Sequence, residues 1–226
     1  MARRLNLKDR FLRGLIVAPV QSVAQDVWIV RGGLPDKIMN VYFIRDGSGV
    51  LAYDSGIRSM AQGIAAAAAS LGGLTRVVLG HAHADHRGGA AGLEVPVYCH
   101  PDEVANAEGD GGAHSWHLEH LDRRNRAMFM LAARFFDGGP VQIAETVCED
   151  DELAGFRVVH LPGHTPGQIG LWRSADGLAL VSDCIYTLDP FTHENGPPRV
   201  PDCAFNHDHG AARASGDFDS GLLVTV

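Results

Sequence analysis

The sequence predicts an α/β protein of αββα sandwich type, on three observations. Short apolar runs punctuated by Gly, Pro and Asp recur in two sets, one over residues 27–53 and one after residue 141. Segments of helical composition lie between and beside them. No Gly-x-Gly-x-x-Gly opens a helix, which sets a dinucleotide-binding sheet aside. The 226 residues, 46% of them apolar, can bury one sizeable core, so residues 1–226 are read as a single domain.

Residues 1–25 begin basic with Arg3 and Arg4, and Asp9, Arg10 and Arg13 interrupt any apolar stretch of signal-peptide length. This part reads as a solvated N-terminal arm. The runs at 27–30, 41–44 and 50–53 read as antiparallel strands. Residues 58–71 hold five consecutive alanines, with Ile64 and Leu71 on one face, and predict a helix ended by Gly72 and Gly73. The β-branched run at 75–79 is a strand that delivers the chain into the histidine-rich segment 81–86. After a strand at 95–99, residues 101–137 read as a helical insertion over the sheet, with a loop at 108–112 and one long helix at 116–136. Strands return at 156–160, 169–172 and 178–181.

Composition excludes several classes. A formal charge of −8 argues against a nucleic-acid partner, because backbone binding relies on clustered Lys and Arg. No apolar stretch approaches the roughly 20 residues that span a bilayer. Cys99, Cys148, Cys184 and Cys203 show no CxxC spacing, which suits a reduced, cytoplasmic protein. A small-molecule substrate is the expected partner, and a homodimer remains open.

Chemistry concentrates in three places. His81, His83, Asp85 and His86 put four potential ligands into six residues directly after a strand, with small Ala82 and Ala84 between them. Neutral imidazole and carboxylate suit Zn2+ and similar ions, and alternate residues at a strand end can face the same way. His81 and His83 would face one metal, Asp85 and His86 a neighbour. His164 sits in a Pro162-Gly163-His164 turn after a strand and reads equally as a ligand or as a plain turn residue. Asp183 ends an apolar strand, where an unpaired carboxylate is costly and a nearby cation removes the difficulty.

These pieces, in this order and at these separations, resemble the metallo-β-lactamase superfamily, whose pattern is HxHxDH, a later histidine in a Pro-Gly-His loop, then a metal-bridging Asp. The resemblance spans residues 26 to about 210 and includes Asp54, Ser55 and Gly56, similar to the family's Asp-x-Gly turn behind the metals. It implies that His81, His83 and His164 hold one metal, that Asp85 and His86 hold the other, and that Asp183 bridges them. Two ions so held lower the pKa of a shared water toward about 7, giving a metal-bound hydroxide that attacks an ester, lactone or thioester. Asp85 orients it or shuttles its proton. Tyr186, three residues after Asp183, is placed as in the lactonases of this family, where a tyrosine hydrogen-bonds the substrate carbonyl; packing under a loop is the alternative. Glyoxalase II-like thioesterases share the ligand set. Two Zn2+ are expected, with Fe2+ or Mn2+ as alternatives.

The sequence departs from the family after Asp183. Members usually continue through a helix and a strand to a final Gly-His that completes the second metal, and no Gly-His follows here. The resemblance therefore implies that the C-terminal helix and strand are missing or altered, as in a shortened gene, with an intact first site and a weakened second one. His193, His207 and His209 are candidates to stand in, as is another subunit. Two other readings follow: a mononuclear iron, persulfide dioxygenase-like oxidoreductase using His81, His164 and Asp183, and a catalytically impaired metal-binding relic. His114, His117 and His120 read as exposed or as bordering the cleft, and Met128, Phe129, Met130, Phe135 and Phe136 as core or as a lining for an acyl chain.

Overall fold

The computed structural model describes residues 16–33, 37–192, 194–217 and, as backbone only, 223–224. Strands β1 (Gln21–Ala24), β2 (Val27–Gly32), β3 (Met39–Asp46) and β4 (Gly49–Tyr53) pair antiparallel. The chain then crosses over through helix α1 (Ala61–Ala69), and β5 (Leu74–Val78), β6 (Val97–Cys99) and β7 (Glu145–Thr146) extend the same sheet in parallel. Two one-turn helices, α2 (Ala84–Arg87) and α3 (Val104–Ala107), lie in the connections on either side of β6. Alanine-rich α1 lies close to its neighbours: its Gly63 faces Val17, whose side chain occupies the space a Cβ would need. Gly72, at φ +106°, passes so near Ser48 that no side chain fits.

The second sheet is built from β8 (Glu152–Leu153), β9 (Phe156–His160), β10 (Ile169–Arg173) and β11 (Leu178–Leu180), all antiparallel. A hairpin of β12 (Tyr186–Leu188) and β13 (Asn195–Arg199) follows, and β14 (Leu223–Val224) lies parallel to β11 at the sheet edge. Side-chain alternation explains the layers. Val27, Ile29, Tyr42 and Ile44 share a buried cluster with Phe156, Val158, Ile169 and Leu171 of the facing sheet. Their neighbours Val30, Val41 and Phe43 pack on the other side with Met60 and Ile64. The result is the expected αββα sandwich. The Tyr53 hydroxyl ties the sheets together by donating to the Ile169 carbonyl at 2.7 Å.

Two expectations are corrected. The end of the N-terminal arm is not solvated, because Val17 is buried and β1 pairs with β2. Residues 1–15 lie outside the described residues. The long helix, α4 (Arg123–Phe136), begins seven residues later than residue 116. Asp122 stops it there, its carboxylate accepting the amides of Arg124 and Asn125 as an N-cap, while Trp116 is extended and reaches into the site. No helix among the described residues is long and apolar enough to cross a membrane.

Candidate metal centre

β5 ends at Val78, and the next residues enter the gap at the mouth of the two sheets. The turn is held from behind by Asp54, which sits at φ +63° and accepts the Gly80 amide at 2.7 Å through Oδ1. His81 and His83 follow outside regular structure, and the one-turn α2 carries Asp85 and His86. His164 comes from the loop after β9. Gly163, at φ +135°, lies so close to the Ala212 backbone that a side chain there would collide with it. Asp183 follows β11 in a short 3-10 turn.

These segments converge. His83 Nδ1 lies 2.9 Å from His164 Nε2 and 3.1 Å from His81 Nε2, with all three rings buried. Asp183 divides its carboxylate between two groups: Oδ2 is 3.5 Å from His164 Nε2 and 4.0 Å from His81 Nε2, whereas Oδ1 is 3.2 Å from His86 Nε2. Two ligand triplets result, His81 with His83 and His164, and His81 with His86 and Asp183. Asp85 stands one step outward, Oδ2 3.8 Å from His86 Nε2 and its side chain 32% exposed. Five of the six residues expected from the sequence lie in these two triplets, and Asp85 stands beside them without joining either.

Partners on the far side of each ring set the proton positions. His164 Nδ1–H donates to Asn206 Oδ1 at 3.1 Å, and His81 Nδ1–H to Ser182 Oγ at 3.2 Å, which turns both Nε2 lone pairs inward. His86 Nδ1–H donates to Asp54 Oδ2 at 2.8 Å. Burial holds His81 and His83 well below the usual imidazole range and lowers His164, so all three are neutral. Burial acts the same way on His86, but the carboxylates of Asp183, Asp54 and Asp85 outweigh it and raise this imidazole well above its ordinary value. Burial works against an ionised Asp183, yet the charge and hydrogen bond of His86, together with the Tyr186 hydroxyl, hold its carboxyl below the usual range.

This donor set fits a divalent cation. Two inward lone pairs, from His81 and His164, face a single His83 nitrogen that can supply at most one proton. A cation satisfies all three. One contact must yield to it. The Trp116 Nε1–H donates to His83 Nε2 at 3.0 Å, which requires a lone pair there. With His83 Nδ1 ligating, the ring proton moves to Nε2 and faces the indole N–H, donor against donor.

Several supports were not visible beforehand. Glu103 is fully buried and accepts the Ala82 amide at 2.9 Å and the Gly167 amide at 3.0 Å, fastening the two histidine loops to each other. Arg87, also buried, pairs with Asp137 at 2.9 Å and donates to the carbonyls of Asn106 and Ala107. His209 Nδ1 accepts from Asn206 at 2.8 Å, and the His207 amide donates to the His164 carbonyl. Among the described residues neither joins a ligand group, and His193 lies outside them.

The family model described as Metallo-beta-lactamase superfamily matches residues 35–224. The chain belongs to this superfamily. A probable metallo-hydrolase of Bacillus subtilis, YybB, is 26% identical over 161 residues, covering 69% of this chain and 66% of its own length. The chain thus spans just under two thirds of that relative. Among solved structures, the metallo-β-lactamase family protein TTHA1429 of Thermus thermophilus aligns with TM-score 0.59 at 19% identity, over 87% of this chain and 70% of its own. A metallo-β-lactamase from Erythrobacter litoralis aligns with TM-score 0.58 at 20% identity, over 87% and 80%. These likenesses place the metallo-β-lactamase fold.

The metallo-β-lactamase fold leaves two adjoining cavities at this centre. One of about 150 Å³ is lined by Tyr42, Asp54, Asp85, His86, Asp183 and Tyr186. The other, about 330 Å³, shares Asp85 and Tyr186 but is walled by Met128, Phe129, Phe136, Phe191 and Phe205. Met130 and Phe135, 56% and 60% exposed, turn to solvent. His114 and His117 pair at the surface with Asp110 and Glu119. The Tyr186 hydroxyl donates to Asp183 Oδ2 at 2.7 Å. Burial and the Asp183 charge raise this phenol well above its ordinary value, which keeps it a donor.

Proposed function

We propose that this chain is a metal-dependent hydrolase of small acyl substrates, an ester, lactone or thioester. The observation that carries this reading is the division of the Asp183 carboxylate between two histidine groups, the posture of a carboxylate shared by two cations. His81, His83 and His164 would hold one ion, Asp85 and His86 the other, and Asp183 both. Divalent ions of the Zn2+ class supply Lewis acidity toward a carbonyl oxygen and bring the pKa of water toward about 7.

The chain's own residues do the rest. Asp85, at the open edge of the ligand group, accepts a proton from the attacking water and returns it to the leaving oxygen or sulfur. The Tyr186 hydroxyl steadies Asp183 and faces the cleft from which a substrate carbonyl arrives. The adjoining apolar cavity takes the acyl portion and keeps water from it. His83, equal in burial and approach to His81 and His164, supports the hydrolase ligand set over the iron triad that would omit it. A cytoplasmic setting goes with this reading, supported by four free thiols.

Metal content of protein purified without chelator, measured beside turnover of a lactone and thioester panel, tests it. Hydrolysis that is lost on chelation and restored by Zn2+ or Mn2+ is expected. Iron with oxygen uptake on a persulfide, or no turnover at saturating metal, would overturn it.

Two variants report on individual contacts. Tyr186→Phe is expected to lower kcat/KM about tenfold, the effect of one hydrogen bond to a charged group, and an unchanged rate ends its role. Trp116→Phe removes the donor that competes for His83, so Zn2+ should bind roughly five- to tenfold more tightly in a chelator competition. Zinc should also shift the indole fluorescence of the parent chain and leave that of Trp116→Phe unmoved. Weaker binding by the variant would sink the argument.

A further inference from the structure

A separate group of donors lies outside the centre described above. His100, Asp102 and His160 each bring one ligand atom within 4.8 Å of the others. The two imidazoles are stacked, ring centroids 4.2 Å apart and planes 13° from parallel, although the rings come from segments some sixty residues apart in the chain. His100 is buried, whereas Asp102 has its side chain 60% exposed, so the group opens to solvent on one side.

Proton accounting shows what the group lacks. His160 Nε2–H donates to the Pro166 carbonyl at 2.9 Å, which leaves the lone pair on Nδ1. His100 Nδ1 accepts the Asp102 amide at a long 3.2 Å, so it too carries a lone pair, and Asp102 Oδ2 lies 3.7 Å from it. The Glu149 carboxylate, which accepts the His160 amide, adds further negative charge. Burial lowers the His100 imidazole, so it does not become the missing cation. The His100 Nδ1 lone pair is thus held only by the long bond from the Asp102 amide, and the His160 Nδ1 and the Asp102 carboxylate have no protein donor among the described residues.

We propose that His100, Asp102 and His160 form an additional cation site, distinct from the His81–Asp183 centre, that takes a divalent transition metal of the zinc class. Two imidazoles and a carboxylate select such ions over Mg2+ or Ca2+, which prefer all-oxygen shells. Its role is structural. His160 ends β9, the strand that leads into the His164 loop, and Asp102 adjoins Glu103, which fastens that loop to Ala82. An ion here pins the two supports of the first centre from outside and meets no substrate.

Zinc binding isotherms by equilibrium dialysis test this, comparing the parent chain, Asp102→Asn and the double variant Asp102→Asn/His160→Gln. The parent is expected to bind one zinc ion more than the double variant, and Asp102→Asn to bind that same ion at least tenfold more weakly. Because the difference between chains is read, the result does not depend on how many ions the first centre holds. Zinc should also raise the Tm of the parent more than that of the double variant, with circular dichroism confirming that both are folded. Should the double variant fail to fold, Asp102→Asn decides alone, since its side chain is exposed. Isotherms that coincide overturn the proposal.

Discussion

Asp183→Ala is expected to lose at least one bound divalent ion per chain and to lower kcat/KM by about a thousandfold or more, some 4 kcal/mol of transition-state stabilisation. The carboxylate stands 3.2 Å from His86 on one side and 3.5 Å from His164 on the other, so it spans both histidine groups. Its removal has a second consequence. His86 owes its raised imidazole to three carboxylates, of which Asp183 acts most strongly, and without it only Asp54 and Asp85 remain. Asp183→Asn separates charge from shape: it preserves the hydrogen bond from Tyr186 and the packing but not the negative charge. If Asp183→Asn keeps the full complement of zinc and more than a tenth of the parent's turnover while both variants remain folded, the shared-carboxylate reading fails.

How much of this could be read from the residues alone depends on the distance over which each one gets its meaning. The His81–His86 segment was legible because its ligands are neighbours and the strand before it is apolar, so chemistry and geometry are both local. The sheets were legible for the same reason, since alternation along a strand is a property of five or six residues. His164 was ambiguous, because a Pro-Gly-His turn becomes a ligand only when Asn206, 42 residues later, fixes its proton outward. Glu103 and Trp116 gave no signal at all. Their partners, Ala82 and His83, lie 21 and 33 residues away, and nothing in a local window distinguishes a buried carboxylate from one on a solvated helix. The misread start of α4 has a similar cause: residues 116–121 have helical composition, yet the contact of Trp116 with His83 and the cap at Asp122 override propensity. Val17 looked like part of an arm until Gly63 supplied a space to fill.

The second large effect falls on a residue that touches no metal ligand. Glu103→Ala is expected to cost about 2–6 kcal/mol of folding stability, the sum of leaving two buried amides unpaired at roughly 1–3 kcal/mol each. The carboxylate has no access to water, and Asn106, its other neighbour, sits at 3.4 Å from either oxygen. Glu103→Gln is the sharper test. Glutamine fits the same space but offers one acceptor oxygen and one NH2, so it can satisfy either Ala82 or Gly167 and must present a donor to the other. Because Ala82 separates His81 from His83 and Gly167 follows His164 by three residues, the unpaired amide loosens one histidine loop relative to the other. Zinc affinity should then fall by about 10–100-fold, as for other groups that orient metal ligands from behind. Urea unfolding with an unchanged m-value gives the stability, and chelator competition gives the affinity. A Glu103→Gln chain that matches its parent in both would mean that the two loops are held by the strands that carry them, with Glu103 a passenger between them.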